Sequence, residues 1–480
     1  MGRTIVTTGD GSTTTLTDGA VQALRRDLRG RLLSPEDAGF AESVRLWNGM
    51  VEKTPALAAM PASAGDVAAA IGFGRDHGLR LGVKGGGHNI AGSAIAEGGL
   101  VLDMSGMRGV TVDRDARLAH VGPGCLLGDV DRATQAHGLA TVLGFVSEVG
   151  VAGLTLGGGL GYLTRRFGWT VDNLEAVEIV TADGETRTAS RRESEDLFWA
   201  IRGGGGNFGV VTRFTFRLHE VGPAVFGGLI AWPFERAGEI LDAYRAITAE
   251  APRELAAWLV LLRAPPAPFV PPEWHGERVC AMAVCYSGRL DAREDALAPI
   301  RALGRPILDL LHEQPYTAVQ SYLDATEPKG HHYYWKTGYF AGLDDGLLAA
   351  ARELFASCPI PDAQIGFLHL GGALNERAPD DGAVGNRDAR FALGLNAMWQ
   401  PDEPAADAFR DWIRAAWERV RGFSTGGNYV NFQTADEGED RIRSAYGSNF
   451  ERLVAVKKRY DPENVFRANR NIAPEAAGPA

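Results

Sequence analysis

Cysteine is scarce in this chain. Four residues in 480, Cys125, Cys280, Cys285 and Cys358, are too few and too irregularly spaced for a disulfide framework, and no CxxC pair marks a structural zinc site. The expectation is four reduced, buried thiols and no metal. Long apolar runs are missing too. Nothing approaches the ~18 consecutive apolar residues of a membrane span, and the polar start MGRTIVTTGDGSTTTLTDGA has no apolar stretch of the kind a signal peptide needs. That start reads as the frayed N-terminus of a cytoplasmic protein. Positive charge is in deficit, with 49 Lys and Arg against 60 Asp and Glu and a net charge of −11. The basic clusters, such as TRRFG and VKKRY, are short, which argues against a grip on nucleic acid or on an anionic membrane.

What remains is a soluble composition, 45% hydrophobic and 23% charged, long enough for roughly two to four domains. In RLLSPEDAGF, Ser34 and Pro35 resemble a helix N-cap and first turn. SAGDVAAAIGFGRDHG carries Val67, Ala70, Ile71 and Phe73 at helical spacing and stops at Gly78. Strands dominate from about 80 to 216: RLGVK breaking into a glycine loop, LVLDMSGM, GVTVDRDARLAHVGPG, and a hairpin around Asp183-Gly184 in EAVEIVTADGETRTAS. A boundary falls near LHEVGPAVFG. Beyond it, helices (AGEILDAYRAIT, DAREDALAPIRAL, ADAFRDWIRAAWERV) alternate with strands (VCAMAVCYS, AQIGFLHLGG, RFALGLNAMW). GGNYVNFQ reads as a returning strand. One helix follows, with Ile442, Tyr446, Phe450, Leu453 and Val454 on a single face, ending before Asp461-Pro462.

Two motifs match by letters and fail by context. Gly204 to Gly209 satisfies GxGxxG, but a helix precedes it and a strand follows, the reverse of a dinucleotide fingerprint. Gly422 to Gly426 satisfies GxSxG, but Ser424 follows a helix instead of a strand, so a helix-to-strand turn is the expected reading, with a serine hydrolase using Ser424 kept as a rival.

The glycine-rich loops say more. VKGGGHN admits a tight turn with an incidental histidine, a phosphate cradle, a metal ligand, or a side chain held against a cofactor. GFVSEVGVAGLTLGGGLGYLTRRFGWTVDNL holds seven glycines between 144 and 161. It is either a bulged sheet core or a set of backbone N–H groups open to an anion. With RGGGGNFGVV, three such loops lie beside strands within about 130 residues. None is followed by the Lys-Ser/Thr of a P-loop, so a dinucleotide such as FAD fits better than a nucleoside triphosphate.

VKGGGHNIAG, GLVLDMSGM, GVAGLTLGGGLGYLTRRFGWTVDNL, DLFWAIRGGGGNFGVVT, YWK, NYVNF and RLVAVKKRYDPENVFRANRNI, in that order, resemble the vanillyl-alcohol oxidase and p-cresol methylhydroxylase superfamily. They are most similar to its berberine-bridge-enzyme-like oxidases, the bacterial 6-hydroxynicotine oxidases among them. The resemblance covers most of the chain. It implies an α+β, two-domain fold of the p-cresol-methylhydroxylase type: an FAD-binding domain (1–221), a substrate domain of antiparallel sheet covered by helices (222–424), and a C-terminal segment (425–480) completing the first. It also implies hydride transfer from an alcohol or amine C–H of a small natural-product or aromatic molecule to flavin, with O2 returning it to the oxidised state and H2O2 released. Monomer or homodimer is expected.

Carried over residue by residue, the resemblance makes His88 the covalent attachment point. It places Gly85, Gly86, Gly87, Asn89, Val149, Gly150, Gly153, Leu154, Gly158, Gly161, Gly209, Val211, Tyr429, Asn431, Asn469 and Asn471 around the cofactor. Many relatives add a cysteinyl tether where this chain has Val146, so a single bond is expected. Val149 stands where a small residue accompanies oxidase over dehydrogenase behaviour. The usual catalytic tyrosine of the terminal motif is Phe432 here, which cannot take a proton and keeps a low-turnover binding or resistance protein in view. The candidate catalytic residues are Tyr429, Tyr334 from the aromatic run GHHYYWKTGYF, and His369, which the strand period places on one face with Ile365 and Phe367.

Overall fold

The computed structural model describes residues 3–475. Of the start expected to be frayed, residues 1–2 lie outside the described residues, and from Arg3 on it is ordered. Arg3–Thr7 and Thr13–Thr17 pair as an antiparallel hairpin in which Val6 and Leu16 are buried and most of their neighbours face water; threonine-rich alternation is strand chemistry, which a polar reading of the segment overlooks.

Helix Ala64–Asp76 is capped by the Ser63 side chain, which accepts from the N–H of Asp66, and buries Val67, Ala70 and Ile71. It connects the parallel strands Leu57–Met60 and Leu81–Lys84, which flank Leu100–Asp103 in one sheet. A second, antiparallel sheet holds Thr186–Ser190, Leu174–Val180, Val210–Arg217, Leu118–Val121 and Val110–Asp113, in that order. The predicted hairpin is there, with Val180 opposite Thr186. Ser34 and Pro35 lie in a turn; the next helix, Phe40–Val44, starts after Gly39, because the Asp37 carboxylate accepts from the Ser34 N–H and closes the turn first.

After the cis Gly222–Pro223 peptide, strands from Ala224 to Trp399 build one antiparallel sheet. Its main order is Leu308–Asp309, Ala224–Pro233, Arg278–Tyr286, Leu255–Arg263, Asp362–His369, Phe391–Trp399 and His332–Phe340. Helices Ala237–Glu250, Asp345–Ala356 and Ala406–Val420 cover one face, packing Ile240, Tyr244, Leu347, Phe355, Ile413 and Trp417 onto Trp232, Leu259, Met282, Phe367 and Leu395. The other face turns toward the first region.

Two segments close the molecule. Residues 383–387 reach back from the sheet: the N–H groups of Ala383 and Val384 donate to the carbonyls of Trp199 and Arg202, and Arg387 holds the buried Asp172 carboxylate bidentately at 2.9 and 2.8 Å. At the C-terminus, the expected single helix is two, Glu439–Tyr446 and Phe450–Tyr460. They are broken at Gly447, whose φ of +55° no helix interior adopts. The break lets Tyr446, Phe450 and Leu453 join the core of Leu197, Phe198 and Trp199. NYVNF is no strand; Val430–Phe432 is a 3-10 turn, and Tyr429 to Phe432 all border the space between the two regions.

Candidate functional site

The bare face of the large sheet and the glycine loops enclose a cavity of about 440 Å³. Strand Leu81–Lys84 delivers the first loop. Its last residue is anchored below the cavity, the buried Lys84 ammonium donating to the Ser43 carbonyl at 2.8 Å and the Asp103 carboxylate at 3.3 Å. Gly85 to Asn89 then line the cavity. Gly87 has a φ of +72°, and among the described residues the N–H groups of Gly86, Gly87, His88 and Asn89 have no acceptor. The second loop passes through Gly150 into the short helix Val151–Leu156, where the N–H groups of Ala152 and Gly153 are equally free of described partners. A Cβ on Gly153 would meet nothing within 4 Å, so the loop is open to the cavity there. The third, Gly205 to Asn207, has the same property, with Gly205 at φ +69°.

The third loop is locked from behind. The buried Lys457 ammonium donates to the carbonyls of Asn207 and Phe466, both at 2.8 Å, and to Asp461 at 2.6 Å. The Asn207 amide in turn donates to the Arg470 carbonyl and accepts from the Ile472 N–H. The C-terminal segment thereby brings Asn469 and Arg470 to the cavity.

Free backbone donors in three loops, a single lining guanidinium (Arg470) and mainly apolar walls fit a diphosphate joined to flat rings. His88 faces the same space and stacks on Trp47 with ring centres 5.4 Å apart; Trp47 stacks on Tyr333 at 3.8 Å. Burial, with the Lys329 charge adding to it, pushes the His88 imidazole down to about 4. It is therefore neutral, with a free ring-nitrogen lone pair, at pH 7. Val146 and Val149 line the cavity, while Cys125 is buried elsewhere, its thiol on the Gly109 carbonyl; all four cysteines are free and buried.

Tyr429 lines the cavity with its hydroxyl accepting from the Gly159 N–H at 3.0 Å and from the Asn431 amide at 2.9 Å. Asn431 also donates to the Leu154 carbonyl, tying the terminal turn to the second loop. Gly209, Val211 and Leu154 are lining residues as well. Gly158 and Gly161 are not: Gly161 sits against the Leu143 carbonyl, where a Cβ has no room, and Gly158 against Val384 and Tyr429. Asn471 is exposed, its neighbour Arg470 taking the inward place.

Tyr334 and His369 are not brought to the cavity. Strand alternation puts Trp335 and Thr337, and Gln364, Gly366 and Leu368, on the cavity side. Their neighbours face the helices. The Tyr334 hydroxyl donates to Asp436 at 2.6 Å. His369 lies under Phe391, its Nε2 accepting from Arg165 at 2.5 Å, and burial with that cation pushes it down to about 2. Ser424 donates to the Arg421 carbonyl in a turn.

Sequence reasoning missed Glu327, the one carboxylate among the lining residues. Its carbonyl accepts from the Trp47 indole at 2.9 Å, its side chain has no described partner, and burial pushes the carboxyl up to about 8. Trp47, Gln364 and Asn396 were missed as well. Only Trp47 carries a local signal, the isolated aromatic of RLWNGM, whose neighbour Asn48 donates to the carbonyls of Ile90 and Tyr333 and so joins both regions.

Comparison with known proteins agrees with this geometry. The family described as FAD binding domain matches residues 55–190, and the one described as berberine and berberine like matches 428–473. The chain is 31% identical to (R)-6-hydroxynicotine oxidase of Paenarthrobacter nicotinovorans over 94% of its length and 98% of the relative's. It is 30% identical to an FAD-linked oxidoreductase of Dictyostelium discoideum over 89% and 91%. The crystal structure of 6-hydroxy-D-nicotine oxidase from Arthrobacter nicotinovorans superposes with a TM-score of 0.84 at 28% identity, covering 93% of this chain and 98% of that one. The protein therefore binds FAD, and it belongs to the berberine-bridge-enzyme-like FAD-linked oxidoreductases of the p-cresol-methylhydroxylase superfamily.

Proposed function

We propose that this protein is an oxidase that holds FAD through one covalent bond at His88, takes hydride from an alcohol or amine C–H of a small natural-product or aromatic substrate, and passes the electrons to O2. The observation that carries the reading is the convergence of a neutral, stacked His88 and three sets of unpartnered backbone donors on one cavity. When bound, FAD supplies the two-electron acceptor and the reaction with O2 that releases H2O2.

The chain's own residues do the rest. Gly86 to Asn89, Ala152, Gly153 and Gly205 to Asn207 would hold the diphosphate. Asn469 and Arg470 would close over it. Val146, in place of a cysteine, leaves His88 as the single tether, and the small Val149 leaves a path for O2. Phe432 lies edge-on to Trp335 and to Tyr429 and offers no proton acceptor. Glu327 takes that role: a carboxyl that titrates near the working pH can remove the O–H or N–H proton as hydride leaves the adjacent carbon. The test is acid precipitation of the purified protein beside His88→Ala. Yellow colour held in the wild-type pellet and released from the variant is the expected result; colour released from both overturns the covalent bond.

A second reading, sequestration of a small molecule with little turnover, draws on the same Phe432. Substrate-dependent bleaching of the flavin under nitrogen, followed by return of colour in air, excludes it; return only with an added electron acceptor makes the protein a dehydrogenase.

A further inference from the structure

On the cavity face of the large sheet the strand registers align one row of small side chains across six strands. Thr337 stands opposite Gly394, Gly394 opposite Gly366, Gly366 opposite Val260, Val260 opposite Ala281, and Ala281 opposite Ala231. The rows on either side are taller. One runs through Ala392, Leu368, Trp258, Ala283 and Leu229, its height carried by Leu368, Trp258 and Leu229; the other holds Trp335, Asn396, Gln364 and Leu262. The result is a trough perpendicular to the strands, five strand spacings or about 24 Å long. All of these residues line the one cavity.

Its two ends differ. Thr337, Asn396 and Gln364 mark the end beside Phe432, with the Asn396 carbonyl oxygen lacking a described partner. From Val260 outward the walls are Leu229, Leu262, Val279, Ile307 and Leu308, without a charge. Over this end lies the proline-rich stretch APPAPFVPP, which carries Phe269, 47% exposed and yet a lining residue. On the ridge, Trp258 is 4% exposed and its indole N–H has no acceptor among the described residues.

We propose that the substrate is an elongated, uncharged, mainly hydrocarbon molecule lying along this trough, its oxidisable group at the Thr337–Asn396 end and its tail toward Phe269. The inference rests on the oxidase reading and names the substrate class for it. An alkyl or prenyl chain buried along the trough exchanges water for apolar walls and gains with every CH2. An oligosaccharide of the same length would leave its hydroxyls against hydrocarbon, at a cost.

The test uses the flavin-loaded protein, Nile red as an uncharged probe, and 1-dodecanol and xylobiose as competitors. Nile red emission is expected to rise and shift to the blue, 1-dodecanol to displace the dye and xylobiose not to. Gly366→Val fills the trough where a Cβ meets nothing closer than 3.9 Å, in a strand that favours a β-branched residue; Ala281→Leu fills it one strand further along. Each should weaken dye binding at least tenfold with flavin absorbance and Tm unchanged. Displacement by xylobiose as strong as by 1-dodecanol, or wild-type dye binding in both variants, overturns the inference, and should the variants misfold the competition decides alone. A yellow protein that ignores Nile red removes the trough only, whereas a bound flavin that no alcohol or amine bleaches removes the oxidase reading beneath it.

Discussion

Gly86 and Gly150 meet backbone to backbone: a Cβ on Gly86 would stand 2.6 Å from the Cα of Gly150, and one on Gly150 would stand 2.7 Å from the Cα of Gly86. Neither distance tolerates a methyl group, so this contact holds two of the donor loops at a fixed separation. Gly150→Ala should cost about 1–3 kcal/mol through overpacking and spread the loops apart. Thermal unfolding would show a lower Tm, and the flavin-to-protein absorbance ratio a protein that purifies substantially flavin-poor. Wild-type loading in a destabilised variant would confine the contact to packing.

The buried setting of His88 makes a separate prediction about attachment. Its pKa of about 4, against an ordinary value near 6.5, keeps the imidazole neutral down to acid pH, and only the neutral ring can form the bond. An ordinary histidine would be roughly 10% neutral at pH 5.5, whereas His88 is nearly all neutral there. Mixing apoprotein with FAD and measuring acid-stable colour over time should give the same rate at pH 5.5 and 7.5. A rate that climbs about tenfold between them, with a midpoint near 6.5, would contradict the buried setting.

These residues also show how far the sequence can be read. The donor loops, His88 and Asn431 were legible because glycine density and motif order are local. The face of a strand was not. Alternation correctly grouped His369 with Ile365 and Phe367, but each face of that strand mixes apolar residues with a polar side chain, His369 on one and Gln364 on the other, so nothing in the pattern says which one meets the cavity; the helices take Phe367 and the cavity takes Gly366. The same parity removes Tyr334 and admits Trp335. Glu327 was invisible for another reason: it sits in an aperiodic loop, and its character comes from burial, which only the fold supplies; Trp47, which donates to its carbonyl, is 280 residues away in sequence. Gly447 was in plain sight, but a lone glycine within an apolar period reads as tolerated until its positive φ is seen.

Glu327→Gln tests proton handling. With its carboxyl raised to about 8, Glu327 is mainly protonated at pH 7, so the rate of flavin reduction by substrate should rise with pH and level off above 8. The variant should lose that limb and fall about 10²-fold or more in kcat, with KM little changed. Stability gives an independent check. The unfolded chain releases this proton near 4.3, so between there and 8 rising pH favours the unfolded state of the wild type and not of the variant. The variant's advantage in denaturant midpoint should grow across that window and flatten above it. A pH–rate profile unchanged by the substitution removes Glu327 from the reaction.

Lys457→Met separates the scaffold from the chemistry. The ammonium has all three donors engaged, on Asn207, Asp461 and Phe466, while Asp461 also accepts from the N–H groups of Val465 and Phe466. Lys457 and Asp461 are both fully buried. Removing the cation strands a carboxylate in the core, a change that costs about 3–5 kcal/mol, and it frees the strap that carries Asn469 and Arg470 to the cavity. Denaturant unfolding should register the loss, and proteolysis should begin at the C-terminal segment. Lys457→Met with Asp461→Asn should recover part of the stability, since the pair is then absent and not broken; a double variant no better than the single would show that the two groups act independently.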